Sequence, residues 1–146
     1  MKTITTTIDI AATPSRVWAI LTDFADHQRW NPFFFGVEGA PIVGSQLKIR
    51  SRSIDGSRGV GFAPRVLDVE PEQLLRWRGH LLVRGLFDGT HTFELTPSES
   101  GGTRFDHSES FRGILVPLLG KVLSDTERGF EEFNAALKSE CEEARA

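Results

Sequence analysis

The C-terminal segment of this 146-residue chain carries the pattern of one long amphipathic helix, from about Pro117 to Glu143. Its apolar stripe at helical spacing consists of Leu119, Val122, Leu123, Thr126, Phe130, Phe133, Leu137 and Cys141. Such a helix is about 40 Å long and cannot bury this stripe by itself. The remainder of the fold must therefore supply a matching apolar surface.

Most of the remaining chain predicts β-strands. Isoleucines at positions 4, 8 and 10 alternate with polar residues, which predicts a first strand at about 2–11. Turn-forming pairs and glycine clusters divide residues 44–112 into an antiparallel meander. Its strands are predicted near 45–53, 58–69, 73–82, 86–96 and 103–112. Pro64 predicts a bulge or a sheet edge inside the second of these.

Two short helices are predicted between the first strand and the meander. Thr13 is a good N-cap and Pro14 suits the first helical position, so the first helix runs from there to about residue 22. Asp23 is expected to cap a second helix that ends at Trp30, because the Asn-Pro pair that follows disfavours helical backbone.

This order of elements predicts one α+β domain over residues 1–146 rather than an alternating βαβ fold. We expect a curved antiparallel sheet of about six strands to grip the C-terminal helix around an apolar cavity. Gly120 and Gly129 are unfavourable inside that helix, so each is expected to mark a bend or the close approach of another group.

Composition narrows the classes of partner. A net charge of −3 gives no attraction to nucleic acid, and no apolar run reaches the length of about 20 residues that an integral membrane protein needs. The single Cys141 indicates neither a disulfide nor a metal motif, so a cytoplasmic protein without a cofactor is expected, as a monomer or homodimer. Eleven Phe, three Trp and no Tyr favour an apolar interior.

Several motifs resemble a known family. They are ATPSRVW at 12–18, LTDF at 21–24, WNPF at 30–33 and a closing helix that contains Phe130, Phe133-Asn134 and Leu137-Lys138. Together with the order of elements, they resemble the START-related SRPBCC superfamily, and more narrowly its polyketide cyclase/dehydrase-like branch. The resemblance covers essentially the whole chain and implies the helix-grip fold with a deep cavity. The same fold serves carriers, receptors and enzymes, so it does not by itself imply an activity.

The last predicted hairpin places three ionisable side chains on its apolar face. Alternate residues of a strand lie on the same face, so His91 lies on the face of Phe93, and His107 and Glu109 lie on the face of Phe105. A turn centred at about 98–102 would pair residue 91 directly with 107 or 109. Three polar groups would then meet inside an apolar pocket.

Four interpretations of this cluster remain open. Glu109 could orient a histidine that anchors a ligand oxygen, or that same histidine could act as a general base. The cluster could also be a structural, water-filled polar centre, or bind zinc through two histidines and a carboxylate. Only the ligand types favour zinc, and nothing else in the sequence supports it. We therefore expect no metal.

The aromatic segment at 30–35 predicts either a lid over the cavity mouth or a plug in the core. The full set of predicted ligand-binding residues is Phe24, Trp30, Phe33, Trp77, Phe87, His91, Phe93, Phe105, His107, Glu109, Phe111, Phe130, Phe133 and Asn134.

The sequence thus predicts a carrier or binding protein for a hydrophobic small molecule, such as a lipid, an aromatic compound or a polyketide-like compound. The alternatives are a cyclase, dehydratase or hydrolase that uses His91, His107 and Glu109 as acid and base, and a protein interaction module.

Overall fold

The computed structural model describes residues 1–52, 59–80, 85–86, 88–118 and 120–143. The described strands are β1 (Lys2–Ile10), β2 (Phe34–Glu38), β3 (Lys48–Arg52), β4 (Gly59–Phe62), β5 (Arg65–Glu70), β6 (Leu74–His80), β7 (Asp88–Pro97) and β8 (Thr103–Arg112). The described α-helices are α1 (Pro14–Thr22), α2 (His27–Trp30) and α3 (Gly120–Glu142). The predicted strand boundaries at 53, 58 and 82, like Phe87 and Leu119, lie outside the described residues.

Two antiparallel sheets form within this part of the chain. The larger has the strand order β1-β8-β7-β6-β5 and the smaller has the order β2-β3-β4. The helix α3 packs against β1 and α1 and buries its apolar stripe there, through Leu123, Phe130, Phe133, Leu137 and Cys141. The predicted α+β class and the long C-terminal helix are therefore confirmed.

The strands are divided more finely than the sequence predicted: within the described residues, eight strands form sheets of five and three, where one sheet of about six strands was expected. The predicted strand at 58–69 is two strands, because β4 ends at Phe62 and β5 begins at Arg65. Pro64 lies between them and lacks the N–H that a continuous ladder would need. The chain passes at this point from the small sheet to the edge of the large one.

The aromatic segment also contains a strand that the sequence reading missed. Side chains of β2 alternate, with Phe34 fully buried and Phe35 44% exposed, and a register shift at Gly36 interrupts the pairing with β3. Asn31 starts this strand, because its Oδ1 accepts hydrogen bonds from the backbone N–H of Phe33 at 2.8 Å and of Phe34 at 2.9 Å. The segment therefore contributes the edge strand β2 to the small sheet and also connects α2 to that sheet.

The helix starts agree only in part with the expected caps. Thr13 caps α1, since its Oγ1 accepts a hydrogen bond from the N–H of Arg16 at 3.2 Å. Asp23 makes no side-chain capping hydrogen bond, so that expectation is wrong; a short 3-10 turn at Phe24–Asp26 precedes α2 instead. As predicted, α2 ends at Trp30.

One of the two glycines in α3 allows a close approach. A Cβ on Gly129 would collide with the ring of Phe33, so the aromatic segment sits in a notch on the helix surface. Gly120 has no atom within 4 Å of its would-be Cβ and forms the first residue of the helix. The close approach is therefore found at Gly129 and not at Gly120.

We expect Gly129→Ala to destabilise the protein by about 1–3 kcal/mol, because the methyl group overpacks against Phe33. Helix propensity alone would favour alanine by about 1 kcal/mol. Gly120→Ala is the matched control and should change the unfolding free energy by no more than about 0.5 kcal/mol. Urea denaturation measures both; a Gly129→Ala variant as stable as the parent would contradict the notch.

Candidate functional site

The hairpin of β7 and β8 positions the predicted polar cluster. In its register His91 lies opposite Glu109, and Phe93 lies opposite His107. Of the two pairings predicted for residue 91, with 107 or with 109, the structure has the second. All three ionisable side chains lie on one face, because residues two apart in a strand share a face.

A continuous hydrogen-bonded chain crosses the interior behind this face. The Nε2 atoms of His91 and His107 lie 2.5 Å apart, and His107 Nδ1 lies 2.8 Å from Asn134 Oδ1 on α3. Asn134 Nδ2 donates to Thr6 Oγ1 at 2.8 Å, and this hydroxyl donates to the His107 carbonyl at 2.9 Å. Strands β1, β7 and β8 are thus tied to α3 by polar groups that are all buried.

The donors along this chain have one consistent direction. The Thr6 hydroxyl uses its hydrogen on the His107 carbonyl, so its oxygen must accept from the Asn134 amide nitrogen. Asn134 Oδ1 then accepts from Nδ1–H of His107, which leaves the Nε2 of His107 as an acceptor. It follows that His91 donates from Nε2 and carries its lone pair on Nδ1.

Aromatic rings enclose both histidines and keep them neutral. His107 stacks on Phe130 with ring centroids 4.0 Å apart, and His91 stacks on Phe93 at 4.5 Å. Burial lowers the pKa of His107 to about 3, although its hydrogen bond with Asn134 opposes the shift. Burial also lowers the pKa of His91 well below its ordinary value, and the neighbouring His107 adds to the effect.

Glu109 is the third polar group and is partly exposed, with 18% of its side chain accessible. Its Oε1 lies 3.8 Å from His91 Nδ1, beyond hydrogen-bonding distance. Burial raises the pKa of this carboxyl from its ordinary 4.5 to about 8, so it is protonated at neutral pH. The carboxyl lies over the bare Cα of Gly89, where a Cβ would collide with Glu109 Oε2.

A cavity of about 150 Å³ opens beside these groups. Its walls are mainly aromatic, and its lining consists of Phe33, Phe34, Ser51, Phe62, Trp77, Gly79, His80, Gly89, His91, Glu109, Phe111 and Thr126. The cavity thus offers a mainly apolar space beside the Glu109 acid and the neutral imidazole of His91, and His80 also contributes to its lining.

The predicted ligand-binding residues divide into two groups in the structure. The cavity lining includes Phe33, Trp77, His91, Glu109 and Phe111. A second layer behind it, or core further away, holds Phe24, Trp30, Phe93, Phe105, His107, Phe130, Phe133 and Asn134. Phe87 lies outside the described residues.

Some lining and supporting residues were not predicted. Thr6 lies between Ile4 and Ile8 on the inward-facing side of β1. Its position in the alternation could have indicated that a polar group enters the core there. Thr126 lies on the predicted apolar stripe of α3, but nothing in the sequence marked it as cavity lining.

The aromatic segment acts partly as a plug. Trp30 packs on His27 and Phe133, with centroids 4.7 and 5.6 Å apart, and among the described residues nothing hydrogen-bonds its buried Nε1. His27 is fixed beneath it, since its Nε2 donates to the Leu21 carbonyl at 2.7 Å and its Nδ1 accepts from Asn31 at 3.0 Å. The other end of the segment, Phe33 and Phe34, reaches the cavity and lines it as a lid would.

The zinc interpretation finds no geometric support. Within the described ranges, no group of three or more His, Cys, Asp or Glu side chains is arranged to hold a metal ion. Both ring nitrogens of His107 are engaged, by Asn134 and by His91, so it has no lone pair to give to a metal.

Among the described helices, none is both long enough and apolar enough to cross a membrane.

A family model described as "Polyketide cyclase / dehydrase and lipid transport" matches residues 1–142. The chain belongs to this family. The branch that the sequence motifs indicated is therefore confirmed. Membership supports a role in hydrophobic ligand binding or in cyclase chemistry and leaves the ligand open.

Solved structures show the same fold. A protein from Mesorhizobium loti is 25% identical, with 94% of this chain and 95% of that chain covered and a TM-score of 0.75. A START superfamily protein from Mycobacterium smegmatis is 19% identical, with coverages of 96% and 97% and a TM-score of 0.74. An aromatase/cyclase from a Streptomyces species is 14% identical, with coverages of 97% and 93% and a TM-score of 0.79. None of the curated protein sequences matches this chain significantly.

The mycobacterial and streptomycete proteins are only distantly similar in sequence. The comparison with them therefore shows a shared START-like fold and nothing about function. The site of this family member must be judged from its own residues, because one fold carries many functions.

We expect stability to decline on both sides of an optimum at about pH 7. His27, His91 and His107 are held neutral by burial, so the unfolded chain binds more protons below its histidine pKa of 6.5 and stability falls as the pH drops. Glu109 acts oppositely: it stays protonated in the folded state up to about pH 8, while the unfolded carboxyl ionises above 4.5. Stability therefore falls as the pH rises towards 8.

The alkaline side of this profile is the sharper test. Relative to Glu109→Gln, the parent should lose about 1.5 kcal/mol of unfolding free energy between pH 6.5 and 8, because ionisation of the carboxyl costs up to about 1.4 kcal/mol per pH unit. Glu109→Gln should become slightly more stable over the same range, because the group that ionises is gone and the unfolded histidines lose their remaining protons. Glu94→Gln, at an exposed position of the same hairpin, should behave like the parent. Equal slopes for the parent and Glu109→Gln in urea titrations would contradict a protonated Glu109.

Proposed function

We propose that this protein binds a neutral, largely apolar small molecule of about one aromatic ring in the cavity beside His91 and Glu109. The observation that carries the proposal is the aromatic-walled cavity itself, with two polar groups at one wall. Apolar walls with few polar anchors are the usual form of a small-molecule site.

Volume sets the size of the ligand. The cavity measures about 150 Å³, and an apolar cavity of roughly that size in an engineered protein binds benzene. Pockets for drug-sized ligands occupy about 300–1,000 Å³. A multi-ring polyketide would exceed the described space, so a single ring with small substituents fits best.

Charge sets the ionisation state of the ligand. His91 is neutral and Glu109 is protonated, so the two groups that would anchor the ligand carry no formal charge at neutral pH. A charged ligand would lose its hydration without gaining a counter-ion, which costs several kcal/mol. The site therefore favours a neutral ligand.

A second candidate function is acid–base catalysis of a cyclase or dehydratase type. It is favoured by one observation: a protonated carboxyl and a neutral imidazole face each other across 3.8 Å at the cavity wall. Glu109 could donate a proton to a leaving or carbonyl oxygen, while His91 Nδ1 accepts one from carbon or oxygen. Turnover that is lost in Glu109→Gln while ligand affinity is retained would distinguish catalysis from binding.

We expect fluorine NMR to detect binding of fluorobenzene, of 4-fluorophenol, or of both to the parent protein. Thr126→Trp should abolish this binding, because the indole would occupy most of the cavity that Thr126 lines. Ser139→Trp is the matched control: it places the same side chain at an exposed position of the same helix and should bind like the parent. Circular dichroism checks that both variants are folded.

If neither fluorobenzene nor 4-fluorophenol binds to the parent protein, the proposal is refuted. Unchanged binding by Thr126→Trp would place the ligand outside this cavity.

A further inference from the structure

The hydrogen-bonded chain behind the cavity ends in an unused acceptor. Thr6, Asn134 and His107 direct their donors so that His91 must donate from Nε2, and its Nδ1 is left with a lone pair. Nδ1 is the atom of His91 that faces Glu109. The Thr6 hydroxyl, three hydrogen bonds away from His91, sets the direction of donation along the network, and a ligand does not.

The carboxyl of Glu109 offers the complementary donor. No described residue makes a hydrogen bond to it, and Oε1 is 3.8 Å from His91 Nδ1. That separation is too long for a direct hydrogen bond, yet an oxygen atom placed between them can lie at hydrogen-bonding distance from both. The pair thus forms a gap with an acceptor on one side and a donor on the other.

Both sides of the gap are held in place. The His91 ring stacks on Phe93 with centroids 4.5 Å apart, and it meets His107 edge to edge through the two Nε2 atoms, 2.5 Å apart. The Glu109 carboxyl occupies the space that a side chain at position 89 would fill. A ligand therefore meets a preformed pair of groups, so little ordering is needed on binding.

From this geometry we propose that the ligand is a hydroxyl compound, a phenol or a small alcohol of single-ring size, whose oxygen lies between His91 Nδ1 and the Glu109 carboxyl. Its O–H donates to Nδ1 and its oxygen accepts from the carboxyl O–H. The inference rests on the proposed function, and it specifies the chemical class of the ligand.

Other oxygen groups match the gap less well. An ether or a ketone can accept from Glu109 but leaves the lone pair of His91 unpaired. A carboxylate can only accept, and it would bring a charge between two groups, His91 and Glu109, that carry none. A hydroxyl is the simplest group that donates and accepts at one atom.

The test compares the affinities of three ring compounds of similar size: 4-fluorophenol, 4-fluoroanisole and 4-fluorotoluene, measured by fluorine NMR or calorimetry. The parent should bind the phenol at least about tenfold more tightly than either of the other two, as two net hydrogen bonds would give. Glu109→Leu should reduce this preference to about threefold or less. Glu109→Gln is the matched control and should retain most of it, because its amide N–H can still donate to the ligand oxygen.

A second variant leaves the carboxyl in the chain but moves it. Gly89→Ala places a Cβ where Glu109 Oε2 lies, so the carboxyl must shift. It should weaken the preference for the phenol while leaving the affinity for 4-fluorotoluene within about threefold of the parent value.

The outcomes separate the two proposals. Binding of all three compounds with equal affinity, or tighter binding of the anisole than of the phenol, would overturn the hydroxyl inference and leave the proposed function standing. Binding of none of them would overturn the proposed function, and the inference with it.

Discussion

The structure depends on burying two neutral imidazoles between the sheet and its long helix. His91 and His107 lie among aromatic rings, where an unpaired polar group costs about 1–3 kcal/mol. The cost is offset because Thr6 and Asn134 complete a hydrogen-bonded chain. Since this chain joins β1, β7 and β8 to α3, it fixes the helix at one depth and rotation on the sheet. Apolar contacts alone tolerate several packings, whereas a polar network has one arrangement in which every group is satisfied.

The same network gives the cavity its chemical character. His107 has both ring nitrogens engaged, so His91 is the histidine whose remaining nitrogen faces the cavity side. Glu109 completes the wall as a protonated acid, because burial raises its pKa to about 8. The proposed site is small and directional, and these two properties would restrict a ligand more than the family membership does. The family name covers cyclases, dehydrases and lipid transport, and the fold accommodates all of them.

Local patterns predicted the elements that depend on local rules. The period-two alternation predicted that His91 and Glu109 share a face, and the position of the turn predicted that residue 91 pairs with 107 or 109. The helical stripe predicted the buried face of α3. What escaped prediction depends on contacts distant in the chain. The strand β2 forms because Asn31 fixes the backbone after α2 and β3 offers an edge, which an aromatic run does not reveal. Likewise, Thr6 and His107 are 101 residues apart, so their hydrogen bond had no local signature. The volume of the cavity depends on how the aromatic side chains pack in three dimensions, so composition favoured an apolar interior without giving its size.

The direction of the hydrogen-bonded chain is the central claim, and the tautomers of its two histidines test it most directly. Long-range proton–nitrogen NMR correlations of the histidine rings at neutral pH distinguish a nitrogen that carries hydrogen from one that carries a lone pair. The account predicts opposite neutral tautomers, with hydrogen on Nδ1 of His107 and on Nε2 of His91. Asn134→Leu should remove the constraint on His107 and disturb both assignments. Two identical tautomers in the parent, or an imidazolium at either position, would contradict the account.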